Sequence, residues 1–404
     1  MIKKIILRAL LSSFFRSIVG ATFIVSGIIK GNDSIGFAYK LEEYFDPAAL
    51  AYRFHEIGWD SFSLEWLIPF SLLLAVFISV FEIVLGFALI VKAKIKTSLF
   101  FTFALLIFFS FLTLHTATCD PSSLEGVKCV DDCGCFGDAM KDSFGRSLVP
   151  WESFFKDILL IIFSIPIFIL DRKKGLNSLF QDLPSLIFSF VFTFIWSFIF
   201  SWYFPMLFLL LLFVIYFLIK KYYSHSILVI FSTALVSTVF VSYTFNNLPL
   251  KDYRPYKEGF DFRANYQDDE YNQHVRINEI TEFTLNEVRT DNNVTKFFIE
   301  YPVVLLSSTY KFNKSNKDSF EDIKKLSEVA KKNSIDVMHV CDYLDIDSIK
   351  PILGEELYYY GDADIGKIII RSDPGLLLFK DGILIKKWHY NNIPDIEEIQ
   401  NLLK

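Results

Sequence analysis

The sequence predicts an α-helical membrane bundle of seven spans followed by a soluble α/β domain. Three observations lead there. Apolar runs of about twenty residues, the length that crosses a bilayer core of about 30 Å as a helix, recur as far as Phe245. Aromatics make up 17% of the chain, and most of its 45 Phe fall inside those runs. Beyond Phe245 the chain turns polar, and strand-type and helix-type patterns begin to alternate. The net charge of −6 is mild, and no Lys/Arg stripe with interleaved aromatics occurs, which argues against nucleic acid as a partner. The first partner implied is the lipid bilayer.

The spans follow in order. Met1 to Arg8 is basic and precedes an apolar stretch, Phe14 to Ile29, flanked by Arg8, Arg16 and Lys30. With Arg16 inside it and no Ala-x-Ala site, this stretch reads as a retained first helix. A polar segment, Gly31 to Glu65, carries Asp46-Pro47 and Gly58 as breakers. The second helix runs from Trp66 to Val91, and the basic turn Lys92 to Lys96 leads into a third, Ser98 to Thr116. A fourth, Glu152 to Leu170, ends at Asp171-Arg172-Lys173-Lys174-Gly175. Pro184 to Lys221 is long for one helix and short for two, with Trp202-Tyr203-Phe204-Pro205 at its middle; a last span is Ser226 to Phe245. The short basic segments share one side only if Pro184 to Lys221 crosses twice. That count places the N-terminus inside a bacterial inner membrane, with the loop 119–150 and the C-terminal region on the periplasmic side. The organisation is therefore a four-helix unit with its loop over 1–175, further helices over 176–247, a polar linker and strand region over 248–300, and an α/β domain over 301–404.

Four of the five cysteines, Cys119, Cys129, Cys133 and Cys135, fall in the one polar loop. Outside the inner membrane cysteines tend to pair, and four of them admit three connectivities that sequence does not choose among. A bond between Cys133 and Cys135 would close a small strained ring of the exchange-competent kind. One reading is a dithiol that passes electrons between a partner protein and the membrane. The other is two static disulfides that pin the loop at about 2–4 kcal/mol each. A zinc site is disfavoured because paired Cys-x-x-Cys knuckles are missing, and no metal is expected. His115 lies four residues before Cys119, on the same face if the third helix extends that far, and an imidazole there could stabilise a thiolate; the plainer reading is an interfacial His. Glu82 inside the second helix costs about 2.5–3.5 kcal/mol to insert and marks a site or a partner. Arg16 is its natural partner, either as an ion pair that fixes register or as a place where a quinone could be handled. No cofactor is demanded by the sequence. Cys341 ends an apolar strand and reads as a buried small hydrophobe.

In the tail, Pro302 to Ser307 reads as a buried strand and Ser319 to Lys332 as an amphipathic helix with Ile323, Leu326, Val329 and Ala330 on one face. Ile335 to Val340 is a second strand, and Gly375 to Lys380 and Ile383 to Trp388 flank the hairpin dipeptide Asp381-Gly382. Pro394 to Leu403 closes with a helix. Asp373-Pro374 suggests a turn with a cis peptide bond.

Two resemblances emerge from these residues. Arg16-x-x-x-Gly20 and Ser26-Gly27-x-x-Lys30, then Glu82-x-x-x-Gly86, then Cys133-Gly134-Cys135-Phe136-Gly137 followed by Trp151, resemble the DoxX/MauE-type redox-associated membrane family over about Arg16 to Leu170. The resemblance implies a four-helix DoxX-like core and a role in forming or maintaining disulfides of exported client proteins. Cys133 and Cys135 would be the exchanging pair, and Cys119 and Cys129 a relay or structural pair. Leu248 to Lys257 resembles a junction in bacterial fusions of this bundle with an extracytoplasmic domain. The tail from Pro302 is similar in element order to a thioredoxin fold, with Asp373-Pro374 at the cis-proline position. It departs where Cys-x-x-Cys should follow the first strand, since Thr309-Tyr310-Lys311-Phe312 stands there. The tail is therefore expected to dock a client or a thioredoxin-like partner, and any thiol chemistry falls to the loop.

Overall fold

The computed structural model describes residues 2–120, 127–130, 134, 136–146, 148–171, 179–223, 225–269, 272–277, 281–354, 357–361 and 363–404. The chain divides into two compact units, Met1–Phe245 and Asn246–Lys404.

The first unit is helical: α1 (Ile2–Asn32), α2 (Ser34–Phe45), α3 (Tyr52–Glu56), α4 (Ser71–Val91), α5 (Ile95–Thr118), α6 (Gly137–Phe144), α7 (Pro150–Leu170), α8 (Leu179–Ile199), α9 (Phe204–Tyr222) and α10 (Ser226–Asn246). Among the described residues seven stretches are long and apolar enough to cross a membrane, α4 being extended at its start by a 3-10 turn over Glu65–Phe70. Pro184 to Lys221 does form two helices. They part at Ser201, which adopts a left-handed φ of 48°, and Pro205 opens α9, where its missing N–H costs nothing. Apolar side chains such as Phe100, Ile107, Phe155, Phe168, Phe198 and Phe231 point away from the bundle, as a lipid-facing surface requires.

Helices α1 and α4 pack backbone to backbone. A Cβ at Gly20 would lie 2.5 Å from the Gly86 carbonyl oxygen, and one at Gly27 would lie 2.6 Å from the Ser79 carbonyl oxygen. Helices without a hydrophobic drive to associate gain van der Waals contact by such close approach. The two contacts fix an antiparallel register, and this register overturns the expected Arg16–Glu82 pair. Arg16 sits level with the end of α4, where Nη1 donates to the Leu89 and Ile90 carbonyls (3.3 and 2.7 Å) and Nε pairs with Asp171 (3.2 Å). Glu82 lies eight residues back along α4, about 12 Å at 1.5 Å per residue, and pairs with Lys30 instead (2.6 Å).

The polar stretch after α1 is not a plain loop. Phe37, Ala38, Leu41, Tyr44 and Phe45 recur at helical spacing and are buried, and the Asp33 carboxylate accepts from the Gly36 N–H (2.9 Å) to cap the helix they form.

The second unit contains β1 (Tyr266–Asp269), β2 (Asn272–Ile277), β3 (Thr281–Phe283), β4 (Asn286–Glu287), α11 (Thr295–Glu300), β5 (Val303–Thr309), α12 (Ser319–Lys332), β6 (Asp336–Cys341), α13 (Ile346–Leu353), β7 (Leu357–Tyr360), α14 (Ala363–Ile369), β8 (Gly375–Lys380), β9 (Ile383–His389) and α15 (Ile396–Leu403). Strands β1–β2–β3 form a small antiparallel sheet, and the main mixed sheet has the order β4-β7-β6-β5-β8-β9. Strands β5, β6 and β7 run parallel, whereas β8 is antiparallel to β5 and β9 to β8. Alternate residues feed two cores. Leu305, Val337, Leu376 and Leu378 meet Phe320 and Ile323 of α12, while Val304, Leu306, Met338 and Phe379 meet Tyr256, Phe262, Phe283 and Phe298. The segment before β5 thus supplies much of one core. It is tied to β9 through Lys387, whose buried ammonium pairs with Asp252 (2.9 Å) and donates to the Tyr256 carbonyl, while Arg254 grips the same Asp252 (2.8 Å). The turn between β8 and β9 has positive φ at both Asp381 (52°) and Gly382 (74°), the pairing a two-residue hairpin favours. The Asp373-Pro374 bond is cis, and Cys341 is buried with its thiol pushed up to about 12, chiefly by burial.

Two expectations follow. Replacing Gly86 with Ala places a methyl 2.5 Å from the Gly20 carbonyl oxygen, and the strain should cost about 1–3 kcal/mol, read as a lower unfolding midpoint of the detergent-solubilised chain. In the second unit, burial pushes His389 down to about 4, and its Nδ1 accepts from the Asn391 N–H (3.2 Å), so the folded ring is neutral. The unfolded chain binds a proton there from pH 6.5 downward while the folded one resists until about 4. Stability therefore falls as pH drops through that window. After correction for the intrinsic pH dependence of exchange, the amide protection of β9 should fall accordingly, and less so in His389→Gln.

Candidate functional site

The cysteine loop leaves the end of α5. The helix stops at Thr118 and Cys119 is already extended (φ −70°, ψ 131°), so the expected shared helical face of His115 and Cys119 is not continued to Cys119. Cys119 is bonded to Cys129, with Cα atoms 5.7 Å apart. The α2–α3 segment clamps this pair on both sides. Arg53 Nη2 donates to the Thr118 carbonyl (2.6 Å) and hydroxyl (2.8 Å), the Lys128 N–H donates to the Ala48 carbonyl (3.0 Å), and the Lys128 ammonium pairs with Asp46 (2.8 Å). Val130 then buries itself in the bundle core. With two of the four sulfurs bonded to each other, they are not available as thiolates for a metal, and among the described residues no cluster of three or more metal-ligating side chains occurs.

Cys133 and Cys135 lie outside the described residues. Their neighbours do not. Gly134 has a φ of 65° and rests on α2 so tightly that a Cβ there would meet Lys40 Cγ at 2.9 Å and Phe37 at 3.6 Å. That position demands glycine twice over, for conformation and for space. The Phe136 ring is buried 5.1 Å from Trp196 and 5.2 Å from Phe200, and the Lys156 ammonium stands 5.0 Å from its centroid. Trp196 is itself fixed by donating to Thr22 (3.1 Å). Further on, Arg146 makes a two-pronged pair with Glu152 (2.8 and 2.9 Å), whose carboxylate also accepts from the Val149 N–H and so fixes the head of α7.

Below this loop lie two of the residues singled out from sequence. The His115 ring is buried between Tyr52 (5.7 Å) and Tyr44 (6.3 Å), and neither ring nitrogen nor the Tyr52 hydroxyl has a hydrogen-bond partner among the described residues. Glu82 pairs with Lys30, which also donates to Ser26 (2.9 Å) and stands over the rings of Phe109 (4.4 Å) and Phe37 (5.4 Å). Phe37 is the ring under Gly134, so one phenyl group separates Gly134 from a buried ion pair. Glu82 Oε2 is left without a partner among the described residues. Arg16 belongs to a different cluster near the other end of α4, with Ser12, Ser185 and Asp171, and Lys92 completes it (2.9 Å to Asp171). A single small headgroup cannot touch both Glu82 and Arg16. Lys40, Lys156 and Asp171 were not legible as site residues because each flanks a helix end or carries a nearby charge in sequence, whereas Lys30 stood in the Ser26-Gly27-x-x-Lys30 pattern without an assigned partner.

In the second unit the place after β5 is filled by Tyr310 to Phe312. Asp373, next to the cis proline, accepts from the Lys311 N–H (2.8 Å), the Tyr310 N–H (3.3 Å) and the Ser315 hydroxyl (2.7 Å). Burial raises its carboxyl above the usual range against those bonds. This is a closed hydrogen-bonded corner with no thiol.

Compared with known proteins, residues 8–170 match the family described as methylamine utilisation protein MauE, a stretch that runs from within α1 to the end of α7 and takes in the whole cysteine loop. That part of the chain is similar to this family; the match stops short of α8 and the second unit. No curated protein and no solved structure matches the chain.

The Lys30–Glu82 pair yields a test of its own. Removing one partner strands a buried charge, so Lys30→Met should cost about 3–5 kcal/mol, whereas Lys30→Met with Glu82→Leu should recover most of it. Detergent unfolding curves of the single and double variants compare the two.

Proposed function

We propose that this protein is a multi-pass inner-membrane component that forms or maintains disulfides in exported proteins, with Cys133 and Cys135 as the exchanging pair on the periplasmic face. The similarity of residues 8–170 to a family named for methylamine utilisation supports a role in maturing an envelope enzyme or its relatives. The observation that carries the reading is the anchoring of the loop. The Cys119–Cys129 bond holds one end, and Gly134 and Phe136 are docked on either side of Cys135. A dithiol presented this way meets a client sulfur with little loss of chain freedom.

A client thiolate attacks one sulfur of the Cys133–Cys135 disulfide, and that S–S bond breaks with its electron pair on the other sulfur. A second client thiolate then displaces the mixed disulfide, leaving an oxidised client and a reduced loop. Two electrons and two protons must subsequently pass to an acceptor, for which a bilayer quinone is the fitting class. The second unit supports a docking role. Its parallel β5, β6 and β7, the antiparallel β8–β9 hairpin and the cis Asp373-Pro374 bond agree with a thioredoxin-like arrangement, and its corner holds Tyr310 and Lys311 where thiols would sit.

Mixed-disulfide trapping tests this. In Cys133→Ala or Cys135→Ala cells, one variant should accumulate an adduct that reductant dissolves and that contains an exported protein. If both variants give none, the loop is a static staple. In that case replacing all four loop cysteines would lower abundance and leave the redox state of exported proteins unchanged.

A further inference from the structure

Two tyrosines close over His115 in the last turn of α5. The imidazole lies between Tyr52 of α3 (5.7 Å) and Tyr44 of α2 (6.3 Å), and His115 and Tyr52 are only 3% and 5% exposed. Tyr44 is satisfied, since its hydroxyl shares a hydrogen bond with Thr116 (2.7 Å). Both nitrogens of His115 and the hydroxyl of Tyr52 have no partner among the described residues. Buried polar groups are ordinarily hydrogen-bonded, because one left unmade costs its whole desolvation. Three such atoms on two neighbouring side chains point to a bound group.

The approach to this place is apolar. Phe111 stands one turn before His115 on α5 and is 42% exposed, and its ring meets Phe54 of α3 at 6.2 Å. Phe62 and Trp59 continue the aromatic surface, 4.0 and 6.0 Å from Phe54. A row of rings therefore leads from the lipid-facing surface to the imidazole. His115 lies three residues from the end of a membrane-spanning helix, the depth at which the polar head of a lipid-soluble molecule settles.

We propose that His115 and Tyr52 form the headgroup site for a bilayer quinone. This rests on the exchange reading above, which needs an acceptor for two electrons and two protons. It is not the place expected from sequence, since Glu82 and Arg16 lie at different levels of α4. A neutral imidazole offers one N–H and one bare nitrogen, and a phenol one O–H. A quinone carbonyl accepts from the Tyr52 hydroxyl and from an imidazole N–H. When the loop dithiol is reoxidised, its S–S bond forms, two electrons and two protons leave, and the quinone becomes a quinol. The same ring nitrogen, in the other tautomer, then accepts from the quinol hydroxyl, so one imidazole suits both forms of the carrier. A lipid phosphate fits less well, because Arg53, the guanidinium over the Tyr52 ring, is already engaged by Thr118 and Glu56.

Binding is measured on full-length protein in detergent with decyl-ubiquinone, in competition with a photoreactive azido analogue whose attachment site is read by peptide mass. The label should fall on α3 or the end of α5, and excess decyl-ubiquinone should displace it. Tyr52→Phe and His115→Leu each remove hydrogen-bonding capacity with little change in bulk, and each should weaken binding about three- to tenfold. Because the Tyr52 hydroxyl has no partner among the described residues, Tyr52→Phe should leave the unfolding midpoint of the quinone-free protein unchanged or higher. Affinity should be unaltered when Cys133→Ser and Cys135→Ser are combined, so a failure of the trapping experiment leaves this readout standing. No displaceable label, label confined to other helices, or equal affinity in wild type and both variants overturns the proposal. So does displacement by phosphatidylglycerol as effective as that by decyl-ubiquinone, or a lower midpoint in Tyr52→Phe, which would show a hydroxyl already satisfied within the protein.

Discussion

The close crossing of α1 and α4 governs the first unit. Gly20 and Gly86 touch through their backbones, and Gly27 repeats the contact against Ser79 two turns away. Two contacts along one line leave no freedom to slide. Every buried charge in the two helices then has its level assigned, which sends Arg16 to the α4 carbonyls and Asp171, and Glu82 to Lys30. An ionised group in hydrocarbon must find a counter-charge at its own depth. The glycine contact decides which one it finds.

The same register carries upward to the loop. Lys30 near the end of α1 places its ammonium under Phe37 and against Phe109, and Phe37 forms the floor on which Gly134 rests. Thr22, also on α1, accepts from the Trp196 indole that stacks in the Phe136 socket. The α2–α3 segment adds Arg53, Asp46 and Ala48 around the Cys119–Cys129 bond. Gly134 and Phe136 are thus seated on helices by backbone contact and aromatic packing.

Much of this was legible in the sequence and some was not, for identifiable reasons. Seven apolar stretches announced seven helices because length and hydropathy alone decide spanning. The Asp381-Gly382 turn and the mixed order of strands and helices in the tail were readable for a comparable reason, since local turn chemistry and short continuous apolar runs, buried on both faces, dictate them. Helix α2 was hidden because Lys40, Glu42 and Glu43 make its composition polar while Phe37, Leu41, Tyr44 and Phe45 form the buried stripe. Arg16 was assigned the wrong partner because pairing depends on axial register, which composition does not contain. Asp171 looked like part of a basic turn, Lys156 looked like an ordinary helix-end charge, and Lys30 belonged to a recognised pattern whose partner the sequence did not name. Their importance arises only when separate helices bring them together.

The most direct measurement is the connectivity and reduction potential of each loop cysteine in intact membranes, by differential alkylation across a graded reductant series. Cys119 and Cys129 should stay bonded to each other throughout the mild range, while Cys133 and Cys135 pass from disulfide to dithiol together at a higher, more oxidising potential. Four cysteines that are reduced in one step, or a pairing that links Cys119 or Cys129 to Cys133 or Cys135, would contradict a fixed staple beside an exchanging pair.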